Sequence, residues 1–253
     1  MNVALPQVCA VAWWSTAWLQ GHVVTDDLLD ALAELDRLHV FRAARTASGD
    51  SSDLADCEGV TALPFLAALR RRGASHVSIT LPIDGDPLGL GGPAAFNADA
   101  LMAGQGLLAT EVGVGAVPHE GDEAVTWLVH ATARRSLPDV GEADRGLRMT
   151  MLQTTQALAD LDVSSWSPAA ADELMDLRRV PRLPEVPGID PSHLTLAARA
   201  AQAWHIVEVA LRDHGGAVSA TEVARRQEVL SDLERAARRA LVAACSPDVW
   251  PPA

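Results

Sequence analysis

Glu111–Ala131 reads EVGVGAVPHEGDEAVTWLVHA, and its alternation decides the fold class. Val112, Val114 and Ala116 stand on one side of an extended chain, with Glu111, Gly113 and Gly115 on the other. Beyond a turn containing His119, Glu120, Gly121 and Asp122, the residues Val125, Trp127, Val129 and Ala131 alternate with Thr126, Leu128 and His130. Period-two runs of this kind are strands with one buried face. His76–Ile83 (HVSITLPI) repeats the pattern, with Val77, Ile79, Leu81 and Ile83 opposite Ser78 and Thr80. Closing the hairpin with Pro118 opposite Glu123 pairs Val114 with Trp127, Val112 with Val129 and Ala116 with Val125. The large apolar residues then share a face, which a one-residue slip would mix. The same register sets Glu111 against His130 and Gly115 against Thr126.

The reverse face carries Ser78, Thr80, Gly113, Gly115, Thr126 and His130. Glycines inside a strand mark close approach by another group. This face reads as solvated or covered by a tightly packed helix. Its alternative use is the floor of a ligand pocket, with Glu111 and His130 as an acid–base couple. The segment Asp84–Asn97 (DGDPLGLGGPAAFN) would roof that pocket, with Asp84 and Asp86 at the rim. Strand, glycine loop and helix start is an order used by phosphate sites. The loop has neither GxxxxGK[ST] nor GxGxxG, and Leu88 occupies the third ligand slot of a calcium loop. A helix over Asp99–Ala109 should follow it.

Working outward, Val8–Gln20 holds Trp13, Trp14 and Trp18 on a helix stopped by Gly21. These tryptophans read as core anchors, and as a partner-binding patch if exposed. Thr25 should cap a second helix with Leu28, Leu32 and Leu35 on its buried stripe. His39–Arg45 reads as a short strand, Thr46–Gly59 as an acidic loop, and Phe65–Arg72 as a helix opened by Pro64 and ended by Gly73. Further on, helices are expected over Glu142–Leu161, Ser167–Val180, Ser192–His214 and Ser219–Cys245. Met149, Met151 and Met175 read as core filler. In the last helix Ser219 and Glu222 form a capping box, and Glu222–Arg226 and Glu234–Arg238 are i,i+4 pairs on its exposed side. Arg179–Pro191 contains four prolines and is the best boundary.

The chain has 253 residues, 49% of them hydrophobic, and a formal charge of −13. That excludes wholesale disorder and argues against nucleic acid and anionic membranes, which need a basic surface. All 20 basic residues are arginine and tyrosine is absent. This pattern follows a GC-rich bacterial codon usage. Cys9, Cys57 and Cys245 are far apart, with no metal-ligand spacing, as expected of reduced cytosolic thiols. His205 and Glu208 are i,i+3 neighbours that read as a structural hydrogen bond. The apolar N-terminal stretch is too short to span a bilayer.

Leu81–Leu101 (LPIDGDPLGLGGPAAFNADAL) and Gly215–Leu241 (GGAVSATEVARRQEVLSDLERAARRAL) resemble segments of uncharacterised proteins of high-GC actinobacteria. The resemblance covers most of the chain after Ala74 and implies a bacterial, cytosolic origin, without an activity or a catalytic motif.

These readings give an α+β protein: a small, mainly antiparallel sheet packed by helices over 1–135, then a helical region over 136–253 ending in a long helix hairpin. They point to a non-catalytic cytosolic regulatory or scaffolding protein acting through contact with a protein partner or self-association, with no cofactor and no metal. The alternative is a small-molecule sensor or enzyme using the face of Ser78, Thr80, Gly113, Gly115, Thr126 and His130.

Overall fold

Period-two segments need partners, and six strands supply them among the residues described: β1 (Leu38–Ala43), β2 (Val60–Thr61), β3 (Ser78–Thr80), β4 (Gly106–Ala109), β5 (Val114–Glu120) and β6 (Ala124–Ala131). They form one sheet in the order β2-β1-β6-β5-β4-β3. Every neighbouring pair is antiparallel except β1 with β6, which is parallel. This computed structural model describes residues 5–35, 38–44, 60–133, 138–160, 172, 173, 175, 183–212 and 220–246. The acidic segment 46–59 with Cys57, most of the helix expected over 167–180, and the Ser219 cap lie outside the described residues.

The hairpin forms with a different register. Val114 faces Ala131, Ala116 faces Val129 and Pro118 faces Trp127, so the pairing expected from the sequence is displaced by four residues. The turn is tighter than expected, closed by Gly121 N–H on the Ala124 carbonyl at 3.0 Å. An even displacement leaves each side chain on its own face. Trp127, Val129, Val114 and Ala116 therefore still share one face, and Gly115, Thr126 and His130 the other. Two expectations fail: Gly115 faces His130 rather than Thr126, and Glu111 does not face His130.

The helix expected to reach Ala109 stops at Ala103. Gly104 takes the left-handed conformation (φ 66°) that ends it. Gly106–Ala109 then becomes β4, which turns at Thr110–Gly113 into β5. Gly113 (φ 66°) thus belongs to a turn, not to the sheet face.

The apolar face is covered by α1 (Gln7–Leu19), α2 (Thr25–Ala33) and α3 (Ala62–Arg71). Thr16 Oγ1 bonds both the Val77 carbonyl and the Val77 N–H, clamping α1 to the start of β3. Trp13 and Trp18 are buried, as core anchors, and Trp14 is half-buried. A patch made of all three is therefore not on the surface. Arg70 lies 3.5 Å over the Trp18 ring. Thr25 does not cap α2; its hydroxyl accepts the Trp18 indole N–H at 3.2 Å. The opposite face is covered by α4 (Ala94–Ala103), whose Phe96 and Ala100 pack with Leu108 and Val117. Beyond the helical unit, Ser246 Oγ accepts the Ile79 N–H at 3.2 Å on the outer edge of β3.

Two compact units result. One holds the sheet with α1–α4, residues 185–190 and Cys245–Ser246. The other holds α5 (Val140–Asp160), α6 (Pro191–Arg212) and α7 (Ala220–Ala244). Helices α6 and α7 run antiparallel: His193 at the start of α6 meets the Ala244 carbonyl at 3.0 Å, and Arg226 near the start of α7 donates to the Ala210 carbonyl at 2.8 Å. Arg226 and Arg238 are 3% and 1% exposed, which corrects their expected place on the outer side of α7. Arg226 instead caps the last turn of α6, where a cation suits the helix dipole. Met149 and Met175 are exposed rather than core.

Cys9 and Cys245 are fully buried free thiols. Burial, then the contact with Cys9, pushes the Cys245 thiol well above the ordinary range. Since the thiolate is the nucleophile, Cys245 should resist iodoacetamide in the native protein and react on unfolding. Peptide mass mapping reads this directly. Native-state labelling of Cys245 would contradict its placement.

Candidate functional site

The reverse face assembles some of the polar residues singled out above and spends their hydrogen bonds internally. Ser78 Oγ donates to the Leu108 carbonyl at 3.1 Å. Thr80 Oγ1 donates to the Leu88 carbonyl at 2.6 Å, tying the 84–97 segment to β3. Asp86 pairs through its backbone with Ile83. Asp84 and Asp86 thus mark a turn beside the sheet. Thr126 lies opposite His119 on the same face as His130.

Glu111 is elsewhere. Its carboxylate accepts the N–H groups of Ser75 (2.6 Å) and His76 (3.2 Å), and the Ser75 hydroxyl (2.6 Å). Burial raises its pKa, but the bonds from Ser75 and His76 outweigh that and hold it below the usual range. Ser75, His76 and Glu111 are residue types of a hydrolytic triad, but the geometry is wrong. Ser75 Oγ and Glu111 Oε1 both meet His76 at Nδ1 (2.6 and 3.1 Å), whereas a relay needs opposite ring nitrogens. The cluster staples the β4–β5 turn to the start of β3.

His130 is 4% exposed, and its carboxylate partner is Asp99 of α4, with Nε2 3.0 Å from Oδ2. The contact falls outside hydrogen-bond geometry. Phe96 meets the His130 ring edge-on at 5.8 Å. Burial lowers the His130 pKa against the pull of Asp99, with His119 adding to the lowering. Over Gly115 there is no room: a Cβ there would lie 2.6 Å from Thr132 Cγ2 and 2.8 Å from Phe96 Cε2. The roof is the first part of helix α4, whose Phe96 belongs to the 84–97 segment, and it fills the space above the glycine instead of leaving a pocket. Asp99 was legible in principle. Phe96, Asp99, Ala100 and Ala103 recur at helical spacing, and such a stripe on the sheet carries one carboxylate with it.

On the apolar face a second histidine stands among aromatic rings. Trp127 Nε1–H donates to His39 Nδ1 at 3.0 Å. The indole nitrogen can only donate, so His39 Nδ1 is the acceptor and the ring carries its proton on Nε2. Burial lowers the His39 pKa, offset in part by the Leu32 carbonyl, and the ring stays neutral. Trp127 stacks on Phe41 (5.6 Å, 9°), and Phe41 stacks on Phe65 (4.0 Å, 10°). The void beneath, lined by Val11, Ser15, Phe41 and Leu107, measures about 10 Å³, no more than a water's space.

Next to it opens a cleft of about 380 Å³ lined by Leu29, Leu32, Ala33, Leu38, His39, Thr61, Ala62 and Glu123. It lies where the chain leaves β2 for α3; among the described residues β2 pairs with Val40 and Phe41 of β1. Leu29 and Leu38 are 40% and 57% exposed at its rim. Nothing in the sequence signals this cleft, because it joins α2, β1, α3 and the tip of the β5–β6 hairpin.

With that geometry in hand, the comparisons with known proteins divide the chain in two. The N-terminal domain described as Rv1486c-like matches residues 8–141, and the Rv1486c-like C-terminal domain matches residues 141–242. The chain belongs to the Rv1486c-like protein family. It is 28% identical over a 284-residue alignment to the uncharacterized protein Rv1486c of Mycobacterium tuberculosis, covering 94% of this chain and 96% of that one. It is 26% identical over 291 residues to the uncharacterized protein ML1804 of Mycobacterium leprae, with the same coverage. No solved structure matches. The likeness to uncharacterised actinobacterial proteins, read from two segments, extends over nearly the whole chain. Every described residue lining the cleft falls inside the Rv1486c-like N-terminal domain.

The two buried histidines predict an acid limb of stability. Their folded pKa values are lowered, so the unfolded chain binds more protons as pH falls through the ordinary histidine value of about 6.5. Stability is present above that pH and declines below it. Glu111, also lowered, adds a second loss only below the ordinary glutamate value of about 4.3. Urea midpoints should therefore begin to fall near pH 6.5, less steeply in a His39→Gln/His130→Gln variant. A flat wild-type profile down to about pH 5 would contradict both assignments.

Proposed function

We propose that this protein acts in the cytosol by contact with another protein and is not an enzyme. The observation that supports the reading is the contrast between its two faces. On the His130 face Ser78 and Thr80 are bonded to backbone carbonyls, His130 lies 3.0 Å from Asp99, and Phe96 occupies the space above Gly115. The open surface is instead an apolar cleft whose rim residues, Leu29 and Leu38, are themselves exposed. A small ligand buries a cleft's floor and leaves an apolar rim in water. A protein partner covers floor and rim together, and gains from both. Among the described residues no group of three histidine, cysteine or carboxylate side chains is placed to hold a metal, and no helix is long and apolar enough to cross a membrane.

The second reading, a small-molecule sensor, draws on the cleft's volume, which lies within the range of ligand sites. Cross-linking followed by native mass spectrometry on protein taken from its own cells separates the two. A stoichiometric protein adduct with no co-purifying metabolite is the expected result. A retained metabolite in place of a protein would overturn the proposal.

A further inference from the structure

We infer that the occupant of the cleft is a polypeptide segment of a partner protein in which an aliphatic or aromatic residue stands beside arginine or lysine. The inference rests on the proposed mode of action and adds the chemistry of the partner. The floor, formed by Leu32 and Ala62, and the exposed rim, formed by Leu29, Ala33 and Leu38, call for an apolar side chain. The one carboxylate in the described lining belongs to the hairpin tip. Glu123 lines the cleft and Asp122 precedes it at the hairpin tip. Helix α2, which supplies Leu29, Leu32 and Ala33, carries Asp26, Asp27 and Asp30, is followed by Glu34, and has no basic residue. Asp26, Asp27, Asp30 and Glu34 are all exposed.

A neutral apolar partner would desolvate Glu123 without compensation, which is costly. A cation beside the apolar anchor compensates it, and the −13 charge of the whole chain adds long-range attraction. A second copy of this chain brings the same net charge, and like-charge repulsion opposes it as the occupant.

The test uses the full chain and two ten-residue probe peptides, one alternating Leu with Arg and one alternating Leu with Glu. Titration is followed by NMR of the leucine methyls. The Leu/Arg peptide should shift the Leu29 and Leu38 signals and bind at least about tenfold tighter than the Leu/Glu peptide. Its affinity should fall about tenfold on raising salt. It should fall similarly in a Leu29→Ser/Leu38→Ser variant and in an Asp30→Arg/Glu123→Arg variant. All four residues are exposed, so the fold is expected to survive. Equal binding of both peptides, unchanged affinity in either variant, or no shift at the cleft would overturn the inference. So would a concentration-dependent dimer abolished by Leu29→Ser/Leu38→Ser. A captured partner whose cross-links map away from Leu29, Leu38 and Glu123 defeats this inference and leaves the proposed mode of action standing. A bound metabolite defeats the latter.

Discussion

Trp127→Ala should cost about 3–5 kcal/mol, the range for removing a large aromatic side chain from a core. Trp127 is completely buried, between the Phe41 ring and His39. Its loss leaves a cavity lined by Phe41 and deprives His39 Nδ1 of its donor. Trp127→Phe separates the two effects. The phenyl ring keeps much of the stack, but a buried acceptor goes unpaired, at about 1–3 kcal/mol. Urea unfolding followed by circular dichroism measures both. A Trp127→Phe variant as stable as the parent would mean that the indole N–H does not hold His39 in place. The ring tautomer gives an independent reading: 15N shifts of His39 should report a proton on Nε2 across neutral pH, and lose that preference in Trp127→Phe.

Phe96→Ala should be comparably damaging, about 3–5 kcal/mol. Phe96 is fully buried and fills the space over Gly115 and Gly106. Gly115→Ala attacks the same contact from below. Its Cβ would stand 2.8 Å from the ring and 2.6 Å from Thr132 Cγ2, so overpacking of about 1–3 kcal/mol is expected. The two substitutions should not add. With the ring removed, Gly115→Ala loses one of its two clashes and should cost measurably less, which a double-mutant cycle reads as coupling. Strict additivity would show that α4 does not bear on the glycine.

The α+β class and the side to which each strand residue points were legible in the sequence. Val125, Trp127 and Val129 alternate with Thr126, Leu128 and His130 whatever they pair with. For that reason a register displaced by four residues still leaves Trp127 and Gly115 on opposite faces. The helix hairpin at the C-terminal end was legible too, since α6 and α7 are long periodic segments. Strand β4 was not. Four residues, GLLA, carry too little pattern to be told from the end of a helix, and only Gly104 marks the break. The burial of Arg226 was equally hidden. Its i,i+4 spacing from Glu222 suits an exposed pair, and only the packing of α6 on α7 offers it the Ala210 carbonyl.

Alternation and breakers act between near neighbours, so the chain alone settled the facing of the residues in β5 and β6 and the long helices of the C-terminal half. Tertiary structure decided what stands opposite. The parallel pairing of β1 with β6 brings His39 to Trp127 across 88 residues of chain, and the descent of α4 onto the sheet gives His130 the carboxylate of Asp99 in place of Glu111. It also leaves α2 and the hairpin tip facing each other across an apolar cleft. No local rule encodes these meetings, because each depends on several elements burying their apolar faces at once.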